Sequence, residues 1–464
     1  RYDRTLRAVV AMGVVFLIGL VGWGAGSAKQ ANGPAAQAIS LAKPSSNGEA
    51  LGRLDSTLSP ILAAVAAAVF YVSPWPSLTI VSGAALGAVI MLRLDLGLAL
   101  VAFSAPFYLH PRPLFGKSFS MGEIAALLTL ASWGARQAKR GLATSFTTSL
   151  RSLSFADVAV ISLALVAAVS TLFAEYRHVA LRELRVVIIE PALVYLVLRT
   201  SRLDRKRIWH VVDAFVVGAV TVALIGISQY ALDVNVITAE QGFRRLRSVY
   251  GSPNNAALYL GRALPILIAV AVFAAKRWRR TAYAILAIPV GLALLLTFSR
   301  AAILLGIPAS LLALGISGRG HWRWVAWGLL VAAALALILL LSTPRFAGLL
   351  DPGSGTLFFR LQLWRSSWKM FLDHPWLGVG PDNFLYQYRG RYILPTAWEE
   401  PHLSHAHNIA LSYATRLGLL GLGVGGLLQI SFWRRAVMML RRTLSADHRA
   451  LLIGLTGSMA YALG

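Results

Sequence analysis

At 464 residues, 57% hydrophobic and only 14% charged, the chain has the composition of a protein that passes a membrane repeatedly. Its 44 Lys and Arg against 19 Asp and Glu give a net charge of +25, but the excess lies in short loops between apolar runs, which points to membrane orientation and away from nucleic acid. The absence of cysteine excludes disulfides, thiolate catalysis and Cys-ligated metal.

Apolar runs of helical length occur near 8–26, 59–73, 77–92, 96–108, 120–135, 155–174, 185–199, 210–232, 255–275, 282–298, 301–317, 324–342, 408–432 and 450–464. They are continuous rather than alternating, which argues for helices and against a closed barrel. The expected fold is all-α, a polytopic transmembrane helical bundle of about 12–14 spans. The run 8–26 follows basic residues and reads as a span, not a signal peptide. Because the chain starts at Arg1 and stops inside an apolar run, at least one further helix is expected in the natural protein.

Basic loops at 135–141, 199–207, 276–280, 318–323 and 434–442 occupy every second connection, the pattern of cytoplasmic loops. The connections 175–185, 233–254, 297–302 and 343–407 are then outside. Carried back through the first four runs, the alternation puts the amino terminus outside despite its arginines. One of those runs is therefore expected not to span, and 96–108, with 13 residues, is the first suspect. The expected organisation is 1–95, membrane segments of open topology; 96–342, a helical core; 343–407, a long extracytoplasmic loop; and 408–464, carboxy-terminal helices.

Two outer connections break the charge rule. "FRRLRSVYGSPNN" carries Arg244, Arg245 and Arg247, and "TFSRAA" carries Arg300. Each arginine taken singly can snorkel to lipid phosphate. Together they form a basic rim suited to an anionic ligand at the membrane surface.

In the long outer connection, Leu361, Trp364, Trp368 and Phe371 recur every three or four residues. That spacing predicts an amphipathic helix with this stripe on the bundle or lipid and Arg360, Arg365 and Lys369 toward polar groups. "DHPWLGVGPDN" then ends the helix, since Pro375, Gly378, Gly380 and Pro381 favour turns. The loop delivers the chain to His402, His405 and His407, at the mouth of the run 408–432. Three readings stay open: a three-histidine metal site, which the i, i+3, i+5 spacing does not favour; helix capping by His405 or His407; and general base catalysis by a neutral imidazole near its ordinary pKa of about 6.5.

"HNIALSYATRLGLLG" (407–421), a His-Asn pair followed after nine residues by Gly-x-x-Gly, resembles the signature of the O-antigen ligase family, which includes polysaccharide polymerases and protein O-oligosaccharyltransferases. "HPWLGVGPDNF", "TFSRAA" and "RLRSVYGSPNNAALYL" resemble three further elements of that family and follow its order over about residues 240–435. The resemblance implies a metal-independent glycosyltransferase of the multi-span type in the bacterial cytoplasmic membrane. It would move a glycan from an undecaprenyl diphosphate carrier to a hydroxyl of a glycolipid, glycan or protein on the extracytoplasmic face, with no cofactor. By position it makes His407 the catalytic histidine, Arg300 one arm of the diphosphate clamp and Arg247 most nearly the other, with Arg244 and Arg245 as adjacent candidates for that arm. Arg244, Arg245, Arg360, His405 and Asn408 are expected as substrate-side residues, with Asn408 orienting His407 or the acceptor. The chain departs from the family's usual layout by extra runs before residue 96.

The chemistry agrees independently. A departing lipid diphosphate develops negative charge, no Asp-x-Asp pair is present to hold a metal against it, and arginine forks can supply that charge. Small residues at Gly421 and Gly425 suggest close packing against another helix. A polymerase that joins carrier-linked units shares all these features. A flippase of lipid-linked glycan would need polar residues along a route, and Glu190 is the clearest mid-span charge.

Overall fold

The computed structural model describes residues 47–114, 116–139, 153–238, 242–318, 320, 322–341, 355–442 and 444–463; the run 8–26 lies outside them. The fold is helical throughout these residues apart from two small antiparallel pairs, Arg112–Leu114 with Lys117–Phe119 and Ile237–Thr238 with Arg244–Arg245. In chain order the helices are α1 (Asn47–Val72), α2 (Pro76–Leu92), α3 (Leu94–Ser104), α4 (Met121–Lys139), α5 (Phe155–Phe173), α6 (Arg177–Glu183), α7 (Glu190–Thr200), α8 (Arg205–Ala231), α9 (Pro253–Phe273), α10 (Arg277–Leu296), α11 (Ile307–Ser317), α12 (Trp322–Leu341), α13 (Gly355–Asp373), α14 (Phe384–Gln387), α15 (Ile409–Leu440) and α16 (Ala446–Leu463). π-Helical turns lead into α7 and α11, at Leu184–Ile189 and Ala302–Gly306.

Five helices, α5, α8, α9, α10 and α15, are long and apolar enough to cross a membrane, and shorter apolar helices cover Leu58–Val72, Pro76–Leu92, Leu94–Phe107 and Ala302–Ser317. Their starts follow local chemistry. Ser154 and Asp157 close a capping box on α5, Asp204 accepts from the Arg207 amide at α8, and Ser252 caps α9 ahead of Pro253. Helix α8 is buried on all sides through Ala214, Val216, Val217, Ala219 and Val220, which makes it the central post of the bundle. Against it stand α3, α10 and α9.

The suspect run 96–108 is one of these core pieces. It forms α3 and a 3₁₀ turn at Ala105–Phe107, and buries Leu94, Leu96, Leu98, Ala99 and Phe103. Its 11 helical residues rise about 16 Å, half the hydrocarbon thickness, so α3 packs inside the bundle as a short helix.

Contacts at the two ends of α16 sort the loops onto two faces. At its start Asp447 accepts from Arg205 at 2.9 Å and from the Ala275 amide at 2.7 Å. Near its end the Tyr461 hydroxyl donates to Ala257 O at 2.9 Å. The first end is the basic face, with 201–204, 274–276, 441–442 and 444–445. The other, the motif face, collects 174–176, 232–238, 242–252, 297–301 and 374–408.

The amphipathic helix is present as α13, but its buried face differs from the expected stripe. Gln362, Leu363, Ser366, Ser367 and Met370 are buried, whereas Trp368 is 53% exposed and Leu361, Trp364 and Phe371 are half-buried. The serines let α13 approach closely, and Leu363 and Met370 then join Phe384, Tyr388 and Tyr392 in a separate small core. Bulk rather than hydrophobicity decided the register: the tryptophans are too large for that interface.

Candidate active site

The motif face is organised by a break in α15. Gly418 has φ 66° and ψ −158°, which interrupts the helix and strands the groups that would have bonded across it. The segment 374–380 takes up four of them. Leu419 N donates to Pro375 O at 2.7 Å and Leu420 N to Trp376 O at 3.4 Å, while Thr415 O and Arg416 O accept from Val379 N at 2.8 Å and Gly380 N at 3.0 Å. Ser170 of α5 completes the junction, donating to Leu377 O at 2.7 Å. A Cβ at Gly418 would stand 2.3 Å from Trp376 O, and one at Gly378 2.5 Å from Thr415 O, so both positions require glycine for space as well as for their positive φ. "HPWLGVGPDNF" and "HNIALSYATRLGLLG" are thus two halves of one device.

The same break corrects the reading of Gly421 and Gly425. A Cβ on Gly421 would meet Leu417 at 2.0 Å, and one on Gly425 the Tyr413 ring at 2.9 Å, both from the same helix. These glycines make room for side chains folded across the kink rather than for a neighbouring helix.

Further tethers fix the histidine segment. Asn383 is fully buried and grips Tyr176 from both sides, accepting from its amide at 2.8 Å and donating to its carbonyl at 3.3 Å. Trp364 Nε1 of α13 donates to Ala406 O at 3.0 Å. Arg416 donates to Glu183 at 2.7 Å with one terminal nitrogen and to Ser404 O at 3.1 Å with the other. The helix is capped by Asn408, whose Oδ1 accepts from Leu411 N at 3.0 Å, so neither His405 nor His407 is the cap. Asn408 therefore spends its oxygen on the backbone.

Between these anchors His407 sits at φ 49°, a strained position for a non-glycine residue, with its ring 4.1 Å from that of His405. Burial, the adjacent His405 and the Arg360 cation hold the His407 imidazole down to about 4. The expected ordinary pKa is corrected: the ring is neutral at pH 7 but only weakly basic. His405 is lowered as well, by burial and Arg416, and its Nδ1 lies 3.1 Å from Ser404 Oγ. Glu400 is raised by burial and by Glu399, against the pull of Arg360. Glu183 is raised by burial and by Asp382, against the pull of Arg416. Glu183 and Arg416 had no sequence signal, since 233 positions separate them.

The arginine rim forms a second group. Leu246 N donates to Leu296 O at 2.9 Å, which lays 243–247 beside the start of "TFSRAA", and Phe243 meets Phe298 at 6.3 Å. Arg244 is paired with Asp233 at 3.0 Å and lies over the Tyr230 ring. Arg245 donates to Thr297 O at 2.9 Å and to Asn254 Oδ1 at 3.0 Å. Arg247 is half-buried; its Nε donates to Asn235 O at 3.2 Å, and its terminal nitrogens have no partner among the described residues. Arg300 is half-buried on the connection just ahead of the π-helical turn at 302–306. Arg360, His405, His407 and Asn408 make up the histidine group, with Arg360 close enough to His407 to depress its imidazole.

Strain marks both groups. Of seven non-glycine residues with positive φ among the described residues, Asp233, Asn235, Ser248, Phe298, Asp382 and His407 lie on the motif face, and only Arg202 lies opposite. Such conformations persist where surrounding contacts enforce them, which is typical of ligand-handling sites. Among the described residues no group of three or more His, Asp or Glu side chains is arranged to hold a metal ion.

Residues 282–424 match the family model of O-antigen ligase. This part of the chain is similar to the O-antigen ligase family, whose members are glycan-transferring ligases and polymerases. No curated protein matches the chain. The matched region runs from α10 past the break in α15, and so contains Arg300, Arg360, His405, His407 and Asn408; Arg244, Arg245 and Arg247 precede it.

Proposed function

We propose that the protein transfers a glycan from an undecaprenyl diphosphate carrier to an acceptor hydroxyl, with the motif face outside the bacterial cytoplasmic membrane. The observation that carries this reading is His407 itself: a neutral imidazole held in a strained turn by tethers from α5, α6 and α13, within the region similar to the O-antigen ligase family. Arg247 and Arg300 grip the diphosphate through their guanidinium forks. The acceptor oxygen attacks the anomeric carbon, the bond from that carbon to the diphosphate oxygen breaks, and the electron pair leaves with the diphosphate. In-line attack inverts the anomeric centre.

The acceptor proton passes to His407. A base held near 4 is weak in the empty site; burial depresses it most, and an arriving diphosphate offsets the smaller contribution of the Arg360 charge. The base thus gains strength when donor is bound. A polymerase using a second carrier-linked glycan as acceptor would need the same groups.

The test is transfer by purified protein from an undecaprenyl-diphosphate glycan, with glycolipid, protein and carrier-linked acceptors offered side by side. Transfer to one acceptor, lost in His407→Ala, is expected and names the acceptor class. Absence of transfer to all three, with the donor instead moved across a vesicle bilayer, would make the protein a flippase.

A further inference from the structure

Arg262 is the only charged residue in α9. It stands nine residues beyond Pro253, about 13 Å below the motif face. Along that side of the helix Asn254, Leu258 and Arg262 are exposed, whereas Pro265, Ile266 and Ala269 below them are buried. An open stripe therefore descends from the motif face and stops at Arg262. Helical side chains lean toward the amino-terminal end, which here directs the guanidinium up the stripe.

The stripe borders the arginine rim at top and bottom. At the top, Arg245 bridges Asn254 and Thr297 O, at 3.0 and 2.9 Å. At the bottom, Tyr461 wedges between α9 and the π-helical turn that follows Arg300: a Cβ on Gly261 or Gly306 would come within 1.8 or 2.6 Å of its ring. Arg262 adjoins Gly261 and is within electrostatic reach of Tyr461 and Tyr250. Among the described residues it has no hydrogen-bond or ion-pair partner. An unpaired arginine inside an apolar span is costly, and such residues mark ligand paths by default.

We infer that Arg262 is a third arginine for the lipid diphosphate, meeting its phosphates from the membrane side, where the polyprenyl chain enters the bilayer. The inference rests on the function proposed above and adds to the Arg247 and Arg300 clamp a contact that only a membrane-embedded anion can reach. A soluble sugar diphosphate approaches from the water and is not gripped from below. The same chemistry would serve a phospholipid headgroup, so the two sources must be separated.

The full chain in phosphatidylcholine nanodiscs is titrated with undecaprenyl diphosphate, undecaprenol and phosphatidylglycerol, for wild type, Arg262→Gln and Arg262→Lys. Abundance and thermal stability are matched first; removing an unpaired charge is expected to preserve both. Loss of one charge-assisted contact should weaken diphosphate binding by about tenfold to a hundredfold in Arg262→Gln, leave undecaprenol unchanged, and be partly restored in Arg262→Lys. Undiminished diphosphate affinity in Arg262→Gln overturns the inference, as does equal loss of phosphatidylglycerol, which would make Arg262 a general lipid contact. A wild type that binds no undecaprenyl diphosphate overturns it too. Arg262-dependent binding without glycan transfer would instead retain this contact and sink the transferase reading.

Discussion

The two faces of the bundle partner their arginines differently. On the basic face Arg93 pairs with Asp95 at 2.9 Å, with His210 on the same carboxylate, Arg205 with Asp447 at 2.9 Å, and Arg279 with Asp213 at 2.9 Å, its guanidinium 3.9 Å from the Trp209 ring, while Arg136 is held by the Met91 and Leu92 carbonyls. On the motif face Arg245 and Arg247 are held by carbonyl and amide oxygens, and Arg262 and Arg360 have no hydrogen-bond partner among the described residues. Carboxylates neutralise a guanidinium; carbonyl oxygens orient it and leave its charge available. The exceptions are instructive, since Arg244 with Asp233, Arg391 with Glu175 and Arg416 with Glu183 are motif-face arginines given structural duties. Counting arginines per loop therefore orients the chain, but their partners separate anchors from ligand contacts.

The strongest way to break this comparison is at His407. His407→Ala should lower transfer by about 10²–10⁴ while donor binding persists, because the arginines hold the diphosphate. His402→Ala and His405→Ala should be milder; transfer that survives in all three variants would make these imidazoles structural. Next, Arg300→Lys should cost about 10²–10³ in rate at matched abundance, since an ammonium cannot reproduce the fork. Arg244→Ala, whose cation is already neutralised by Asp233, should leave donor KM nearly unchanged. Equal losses in the two would erase the distinction between paired and oriented arginines.

On the basic face the expected effect is on stability. Asp95 is fully buried, and Asp95→Ala removes the carboxylate that Arg93 and His210 share, a loss of about 3–5 kcal/mol that should show as reduced folded protein in the membrane with donor KM unaltered in what remains. The smallest effect sharpens the mechanism. With free His407 held near 4, kcat/KM should stay level from neutral pH downward and fall only as pH drops through that value and the base protonates. Arg360→Gln removes one of the depressing charges, so the acid limb should move to higher pH; a wild-type limb at the ordinary histidine value of about 6.5 would contradict the electrostatics described here.

Much of the site was legible before the structure because its four elements are short, ordered along the chain and rich in residues with few alternatives, such as Gly418 and His407. The face of α13 was not. Periodicity marked Leu361, Trp364, Trp368 and Phe371, but burial depends on what fits, and the serines at 366 and 367 fit where indole does not. Nor could spacing choose among Arg244, Arg245 and Arg247, whose roles follow from Asp233, Asn254, Thr297 and Asn235 on other segments.

By itself the sequence determined the helical membrane class, the division into basic and motif loops, and the order of the motifs, because lipid forces long apolar runs into helices and charge orients the loops between them. Only the tertiary structure decided that Gly418 breaks α15, that 374–380 bonds across the break, that Arg416 reaches Glu183, and that the His407 imidazole is depressed. Those properties depend on backbone groups and charges brought together from distant positions, and neither composition nor periodicity records which of them meet.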